Sequence, residues 1–318
     1  MKVIVLGATG AIGLPVSQAL SRAGHIVYGV TRSESNARKL ATEESQFLYV
    51  AQSIGPKLSE YTVIPIVAEP TSESWHYLIV QADVVVESVG GYSDLAQTAP
   101  AILRGVSRSA STLRPPGAPK LTYIYTSGIW IHGDNREDVV SDTTPITKPI
   151  DLVTWRIPFE QAVIGDPNLN GIVIRPALVY GRTASILAGL FRAASEGKVA
   201  WYGTPGGRYC LVHADDLADL YVRAVEKAPV LGGQIFDAAN DFTESVDDLM
   251  QRLNEISGAQ SPYEYIQPST PFEAAIGTTV LCRPYLARAL LDWKPRKPGL
   301  VDGLEIYYAA WAASQQAV

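Results

Sequence analysis

The sequence predicts an α/β fold with a doubly wound parallel sheet, followed by a smaller C-terminal lobe of helices and strands. Three observations carry this prediction. The apolar run 2–6 leads into a glycine-rich stretch and a helical pattern from Leu14, which is the order of a buried strand, a tight turn and a helix. Short apolar strands then alternate with helical segments up to about residue 180, as a parallel sheet requires. From Pro268 onward the pattern is irregular and rich in proline and aromatic residues.

Several elements have a recognisable start, end or limit. Pro15 falls in the first helical turn, where its missing N–H costs nothing, and Gly24 ends the first helix. Pro65 restricts its strand to an edge or irregular position because it cannot donate to a ladder. Thr243 or Ser245 supplies a helix N-cap. The expected strands are 2–6, 25–30, 47–50, 63–67, 83–89, 121–125, 172–174 and 234–237. The expected helices are 14–23, 34–44, 72–81, 94–113, 151–165, 183–196, 212–226 and 243–257.

Composition limits the class of protein. The chain has 318 residues, of which 47% are hydrophobic and 18% are charged, as in globular proteins. Its net charge of −6 argues against nucleic acid as the main partner, since phosphate binding shows as a basic excess. Cys210 and Cys282 form neither a disulfide framework nor a metal-ligand spacing, so we expect a reducing compartment and no metal. We also expect no signal peptide, no membrane span and a cytoplasmic location.

The glycines of the first turn each have a separate expected task. Gly7 permits the tight turn, Gly10 lets the backbone approach a phosphate, and Gly13 lets the helix pack close to the strand. Free N–H groups at the helix N-terminus then face a pyrophosphate. An ordinary strand–turn–helix corner is the alternative, but the position directly after an N-terminal strand favours dinucleotide binding. The expected cofactor contacts in the turn are Gly7, Thr9, Gly10, Ala11, Ile12 and Gly13.

The end of the second strand indicates which dinucleotide is bound. Sites that prefer NAD usually carry an acidic residue here, which holds the ribose 2′-hydroxyl. This chain has Arg32 and Ser33 instead, with Arg38 and Lys39 further along the next helix. A guanidinium suits a 2′-phosphate through bidentate, charge-assisted hydrogen bonds, so we expect NADP(H) rather than NAD(H). A solvated arginine at a helix start is the alternative.

The fourth strand of this pattern ends in a loop that we expect to lie over the cofactor, because ligands of such sheets bind outside the carboxyl ends of the strands. Ser88, Val89 and Gly90 are the expected contacts there. Tyr92 follows directly and could reach a substrate.

Motifs along nearly the whole chain resemble the extended short-chain dehydrogenase/reductase superfamily, in the branch of NAD-dependent epimerases, dehydratases and reductases. The matching segments are 7–13, 126–128, 175–181, 212–218 and the tail around Ala287, Arg288, Leu291, Trp293 and Pro295. The resemblance implies that Ser127 lies beside the nicotinamide and that Pro176, Ala177, Leu178 and Val179 contact its nicotinamide end. It implies a structural role for His213 and Asp216. It also implies a dinucleotide-binding domain over 1–181, to which 210–240 returns, and a mainly substrate-binding lobe over 182–318.

The chain departs from this family at the catalytic pair, which is a tyrosine with a lysine four residues later. One helical turn brings such a lysine beside the tyrosine, where it lowers the pKa of the phenol for acid/base work. With Glu160 setting the register, the two positions are Leu152 and Arg156, and no tyrosine of the chain has a lysine four residues later. Arg156 could still hold the nicotinamide ribose. Leu152 cannot transfer a proton.

Three residues are candidate substitutes for the phenol. Ser127 could polarise a substrate oxygen, or only cap a turn. His132 is a candidate because histidine side chains suit acid/base work near neutral pH. Asp134 would be an orienting or solvated neighbour, and His132 could equally be a structural hydrogen bonder. Tyr92 could act from the opposite wall, or be an exposed loop aromatic. Further substrate contacts are expected at Trp130, Trp201 and Arg208, for which a core position or a surface loop is the alternative.

These observations favour an NADPH-dependent reductase of a small organic metabolite. The missing tyrosine leaves two alternatives open, a redox-neutral isomerase, lyase or cyclase on the same fold and a non-catalytic NADP-sensing regulatory protein. Relatives often pair the helices equivalent to 94–113 and 151–165 in a two-fold dimer. The apolar residues of 151–164 fit such a homodimer and packing on the sheet equally well, so both alternatives stay open.

Overall fold

The protein was analysed as a computed structural model, which describes residues 1–43, 63–91, 93–182 and 186–316. The expected strand 47–50 and Tyr92 lie outside the described residues. Within the described part of the chain, no helix is long and apolar enough to cross a membrane.

A seven-stranded parallel sheet forms the centre of the fold. The strands are β1 (Lys2–Leu6), β2 (Ile26–Thr31), β3 (Val63–Val67), β4 (Val84–Glu87), β5 (Leu121–Thr126), β7 (Leu169–Pro176) and β12 (Ile235–Ala238). Their spatial order is β12-β7-β5-β4-β1-β2-β3. The order reverses between β1 and β4, which is the switch point where doubly wound sheets bind ligands. The predicted α/β class is confirmed, and β3, which contains Pro65, is an edge strand.

Helices connect these strands, as the alternating pattern predicts. They are α1 (Gly13–Arg22), α2 (Glu34–Glu43), the 3₁₀ helix Glu73–Val80, α3 (Leu95–Leu113), α4 (Arg156–Ile164) and α6 (Ala214–Glu226). Gly24 follows α1 with a φ of +84°, a left-handed conformation that ends a helix at little cost only in glycine.

The chain divides into two compact units. The first comprises Met1–Ser127, Pro158–Ile174 and Ala218–Ile235, and the second comprises Gly128–Ile157, Arg175–Leu217 and Phe236–Val318. These bounds differ from the division that we expect at residue 181, because the loop after β5 and the end of β7 both belong to the second unit.

Small paired strands and helices build the second unit. Its strands are β6 (Asn135–Val140), β8 (Leu178–Tyr180), β9 (Ala200–Tyr202), β10 (Arg208–Tyr209), β11 (Leu211–His213), β13 (Glu244–Ser245), β14 (Glu264–Ile266) and β15 (Val280–Cys282). Its helices are α5 (Ala188–Ser195), α7 (Val246–Ser257), α8 (Pro271–Ile276), α9 (Leu286–Leu291) and α10 (Leu304–Gln316). An apolar core with Leu190, Trp201, Leu253 and Trp311 joins α5, α7 and α10. Ser245 is the N-cap of α7, with its hydroxyl accepting from Asp248 N at 3.1 Å.

The expected helix 151–165 is interrupted. Residues Asp151–Val153 form a 3₁₀ turn, and the α-helix begins only at Arg156. Pro158 explains the break, because it has no N–H to donate to the carbonyl of Thr154 in an α-helical bond. That carbonyl instead accepts from Ile157 N at 3.2 Å, which is the shorter 3₁₀ spacing.

Candidate functional site

Two glycines of the first turn are required by the packing of the chain itself. Gly7 has a φ of +77°, and a Cβ there would lie 2.7 Å from the carbonyl oxygen of Ser88. A Cβ at Gly13 would lie 2.1 Å from the carbonyl oxygen of Gly7 and 2.8 Å from Ser88 Oγ. The turn therefore closes tightly on β4 and on the start of α1, as the sequence predicts.

Gly10 is different, because little of the described chain crowds it. It is exposed, its φ is not positive, and a Cβ there would meet only Gly7 O, at 3.2 Å. Folding alone does not demand glycine at this position, whereas the close approach of a ligand phosphate to the backbone does.

The N-terminus of α1 opens beside Gly10. Its N-cap residue, Ile12, makes no side-chain cap, and the first turn of a helix favours an anion. The turn therefore fits the pyrophosphate of a dinucleotide.

The carboxyl end of β2 lies against the same turn. Ala8 N donates to Val30 O at 3.2 Å, and the hydroxyls of Thr9 and Thr31 are 3.4 Å apart. Arg32 follows and is exposed. Ser33 caps α2, since its hydroxyl accepts from Asn36 N at 3.3 Å. The expected 2′-phosphate contacts therefore lie at the end of β2, one strand away from the glycine turn.

The carboxyl end of β4 is tied to β1 beneath the turn. Both the backbone N–H and the hydroxyl of Ser88 donate to Leu6 O, at 3.0 and 2.8 Å. Glu87, one residue earlier, is buried and accepts from Tyr123 Oη, and burial together with this carboxylate raises the pKa of the phenol. A Cβ at Gly90 would meet none of the described residues within 4 Å, so none of them crowds a ligand at this position.

Ser127, at the end of β5, has a buried hydroxyl with no hydrogen-bond partner among the described residues. Its backbone N–H donates to Ile174 O at 2.8 Å, which fixes its place in the sheet. The hydroxyl of the preceding Thr126 is paired with Tyr221 Oη at 2.6 Å. A buried polar group normally has a partner, so the Ser127 hydroxyl is available for a ligand.

His132 is buried within the second unit. It ends the 3₁₀ helix Ile129–His132, and its Nε2 lies 2.8 Å from Asp237 Oδ2, with side-chain exposures of 1% and 0%. Asp134, the expected neighbour, accepts from Thr279 N at 2.7 Å instead. The Asp237 carboxylate thus occupies His132 Nε2, which argues against this nitrogen as the atom that hands a proton to a substrate.

The segment Pro176–Val179 is fixed through its backbone. Ala177 N donates to Ala238 O at 2.9 Å, and Leu178 N donates to Cys210 O at 3.2 Å. Val179 is half-buried, whereas the other three residues are buried. A backbone fixed in this way suits the contacts with the nicotinamide end of the cofactor that the family resemblance implies.

The two positions to which the family resemblance assigns a tyrosine and a lysine lie on different elements. Leu152 is 36% exposed in the 3₁₀ turn, and Arg156 begins α4 with its guanidinium carbon 4.9 Å from the ring centre of Trp155. The break caused by Pro158 separates the two, so the spacing of one continuous helical turn does not apply here.

The expected substrate contacts lie in different surroundings. Trp201 is 5% exposed in the core, and its Nε1 donates to Tyr209 Oη at 2.7 Å, which argues against a role in a pocket. Arg208 is exposed, but its guanidinium donates to the hydroxyl of Thr243 at 2.8 Å and to the carbonyl of the same residue. Trp130 is half-buried, with its ring centre 6.1 Å from that of Phe272.

The histidine before α6 and the aspartates in its first turn serve the structure. His213 is buried, its Nδ1 accepts from Asp215 N at 3.1 Å, and burial lowers its pKa. Asp216 accepts from Lys297 N at 2.9 Å.

Asp237, the partner of His132, is a residue that the sequence analysis does not identify. It lies inside an apolar strand, 105 positions from His132.

Solved structures with this architecture were found over the full length of the chain. UDP-glucuronic acid 4-epimerase from Bacillus cereus, in complex with NAD, has a TM-score of 0.73 at 18% identity and covers 99% of each chain. dTDP-glucose 4,6-dehydratase from Bacillus anthracis, in complex with NAD, has a TM-score of 0.74 at 13% identity and covers 100% of this chain and 98% of its own. MoeE5, in complex with UDP-glucose and NAD, has a TM-score of 0.69 at 18% identity and covers 99% of this chain and 100% of its own.

The chain has their fold. No protein-family model matches the sequence, and no curated protein matches it. At identities below 20%, the likeness shows the architecture alone. Conclusions about the site therefore rest on the residues of this chain.

Proposed function

We propose that the protein is an NADP(H)-dependent oxidoreductase that reduces a small organic metabolite. The open position of Gly10 carries this proposal, because the described chain does not need a glycine there and a dinucleotide does. The neighbours that were solved with NAD support a nicotinamide dinucleotide in the same fold. Arg32 and Ser33 at the end of β2 favour the form with a 2′-phosphate.

Each group of residues has a task in the proposed site. Backbone N–H groups of Ala11–Gly13 would hold the pyrophosphate, and Arg32 the 2′-phosphate. Ser88–Gly90 and Pro176–Val179 would line the cofactor through their backbone. When bound, the cofactor supplies the hydride for the substrate carbon.

Ser127 would orient and polarise the substrate oxygen. Its buried hydroxyl lacks a partner among the described residues, so no internal hydrogen bond has to break when it donates to a substrate. Leu152 has no proton to give and His132 is bonded to Asp237. We infer that the proton reaches the substrate oxygen from water through the Ser127 hydroxyl.

Calorimetric titration of nucleotide-stripped protein with NADPH and with NADH tests the proposal. We expect NADPH to bind at least tenfold more tightly than NADH. Arg32→Ala should weaken NADPH binding by roughly 10- to 100-fold, since a hydrogen bond to a charged group contributes about 1.5–3 kcal/mol, and should leave NADH binding unchanged. Arg32→Asp should reverse the preference.

Arg104→Ala is the matched control, because Arg104 is exposed on α3 of the same unit. It should change neither affinity. Tighter binding of NADH to the wild-type protein would overturn the NADP(H) assignment and leave the dinucleotide. Binding of neither nucleotide would overturn the whole proposal.

The leucine at position 152 favours two alternative functions that need no phenolic acid. A redox-neutral isomerase, lyase or cyclase should keep its activity after the nucleotide is removed. A dinucleotide-sensing protein should bind NADPH tightly and oxidise it on no substrate of a carbonyl, imine and activated-alkene panel. Consumption of NADPH with one of those substrates would exclude both.

A further inference from the structure

Asp237 holds two segments of the second unit through one buried carboxylate. The residue lies on β12 with no exposed surface. Its Oδ2 is 2.8 Å from His132 Nε2, and its Oδ1 is 3.5 Å from an Nη of Arg175. The side chains of these two partners are 1% and 4% exposed, so all three groups are removed from water together.

Asp237 is itself fixed from another side. Its backbone N–H donates to Asp142 Oδ1 at 2.8 Å, while Asp142 Oδ2 accepts from the backbone N–H groups of Tyr285 and Leu286 at 2.8 and 3.2 Å. Cys282 Sγ lies 3.8 Å from Asp237 Oδ2. The carboxylate therefore has a defined place before it meets His132 and Arg175.

The two partners stand at the ends of segments for which the sequence predicts substrate or cofactor contacts. His132 closes the 3₁₀ helix that carries Trp130, three residues after Ser127. Arg175 directly precedes Pro176–Val179. We propose that Asp237 is a positioning residue that sets both segments for the nicotinamide end of the cofactor and for the substrate, and that His132 acts through it rather than as a proton donor.

This inference rests on the proposed function, and its chemistry follows from charge. A single carboxylate can accept from an imidazole and a guanidinium at once. Asparagine has nearly the same shape but has one acceptor oxygen and no charge, so Asp237→Asn would leave one of two buried donors facing an amide nitrogen. Either the 129–132 helix or the strand end at Arg175 would then have to move.

A fragment comparison measures this positioning without a known substrate. Adenosine 2′,5′-bisphosphate carries the adenosine and 2′-phosphate of NADPH but lacks nicotinamide. Calorimetric titration of both ligands should show that Asp237→Asn weakens NADPH binding at least tenfold and changes fragment binding less than twofold. General loss of stability would not alter the ratio of the two affinities, so the ratio separates positioning from a merely structural role.

Asp247→Asn is the control variant, because it weakens the bonds that this carboxylate of the same unit accepts from Gly206 N, Tyr263 and Tyr265 and leaves the Asp237 carboxylate with His132 and Arg175. It should lower the unfolding temperature and keep the wild-type ratio. An unchanged ratio in Asp237→Asn would overturn the inference. If Asp237→Asn does not fold, His132→Phe takes its place, because it keeps a ring and loses the donor. The ratio of NADPH affinity to fragment affinity is then measured for His132→Phe.

The wild-type protein distinguishes failure of this inference from failure of the proposed function. Binding of NADPH no tighter than the fragment would overturn the positioning role and keep the dinucleotide site. Binding of neither ligand would overturn the proposed function, and the inference with it.

Discussion

Gly10 and Gly13 lie three residues apart in one turn, yet an added methyl group meets different surroundings at each. At Gly13 the Cβ would lie 2.1 Å from a backbone oxygen, which cannot move without shifting the turn, whereas at Gly10 the nearest atom is 3.2 Å away. Neither residue has a positive φ, so backbone strain does not confuse the comparison. Substitution of each by alanine therefore separates folding from ligand binding.

The magnitudes follow from these contacts. Gly13→Ala forces the backbone apart by about 1 Å, and such overpacking costs about 1–3 kcal/mol. Gly10→Ala requires a shift of a few tenths of an ångström, while the loss of glycine freedom in the unfolded chain stabilises the protein by about 0.4–1 kcal/mol. We expect Gly10→Ala to change the free energy of unfolding by less than about 1 kcal/mol, and to weaken NADPH binding at least tenfold, or about 1.4 kcal/mol.

Urea unfolding and calorimetric titration with NADPH, on the wild-type protein and both variants, measure the two effects. Gly13→Ala should lower the unfolding midpoint clearly, and Gly10→Ala should not. The reasoning is refuted if Gly10→Ala destabilises the fold as much as Gly13→Ala does, since Gly10 would then be a structural requirement. Wild-type NADPH affinity in Gly10→Ala would refute the assignment of the turn to a dinucleotide.

Two further predictions concern a hydroxyl and an imidazole. Ser127→Ala should not lower the free energy of unfolding, since that hydroxyl is buried with no partner among the described residues and an unpaired buried hydroxyl costs stability. On a substrate found by screening, it should lower kcat by about 10²–10³, as loss of one polarising donor does; unchanged kcat would contradict its role. Burial lowers the pKa of His76, whose Nδ1 is 2.8 Å from Ser109 Oγ. The unfolded chain therefore binds more protons just below about pH 6.5, and the free energy of unfolding should fall between pH 7.5 and 5.5. His76→Gln should show a smaller fall in urea unfolding over that range, and an equal fall would contradict the assignment.

The sheet could be predicted from the sequence because its signals are local. A run such as 2–6 is apolar at every position since both faces of a parallel strand are covered, and the structure has a strand there. Pro65 predicts an edge position from its missing N–H alone, and β3 is at the edge. Such features depend on a few neighbouring residues, which the sequence displays directly.

The interruption before α4 shows how one local signal can outweigh a longer pattern. The apolar spacing over 151–165 predicts a continuous helix, and an aligned tyrosine–lysine pair would need one. Pro158 carries the opposite signal, because it would lie in the interior of a helix that began at 151 and would remove the bond to the carbonyl four residues before it. A proline is tolerated in the first helical turn, so Pro158 predicts an α-helix that starts near Arg156.

The carboxylate of Asp237 could not be predicted in the same way. A single aspartate within the apolar strand 234–237 carries no periodic signal, and its partners His132 and Arg175 are 105 and 62 positions away. Three ionisable groups that are each improbable in a core become stable together, because each removes the cost of burying the others unpaired. A single histidine shortly after strand β5 is therefore consistent with two roles that the sequence cannot separate. It can be an exposed acid, or it can be one partner in a buried ion pair. Here the histidine belongs to the buried pair, and the Ser127 hydroxyl is the polar group without a partner.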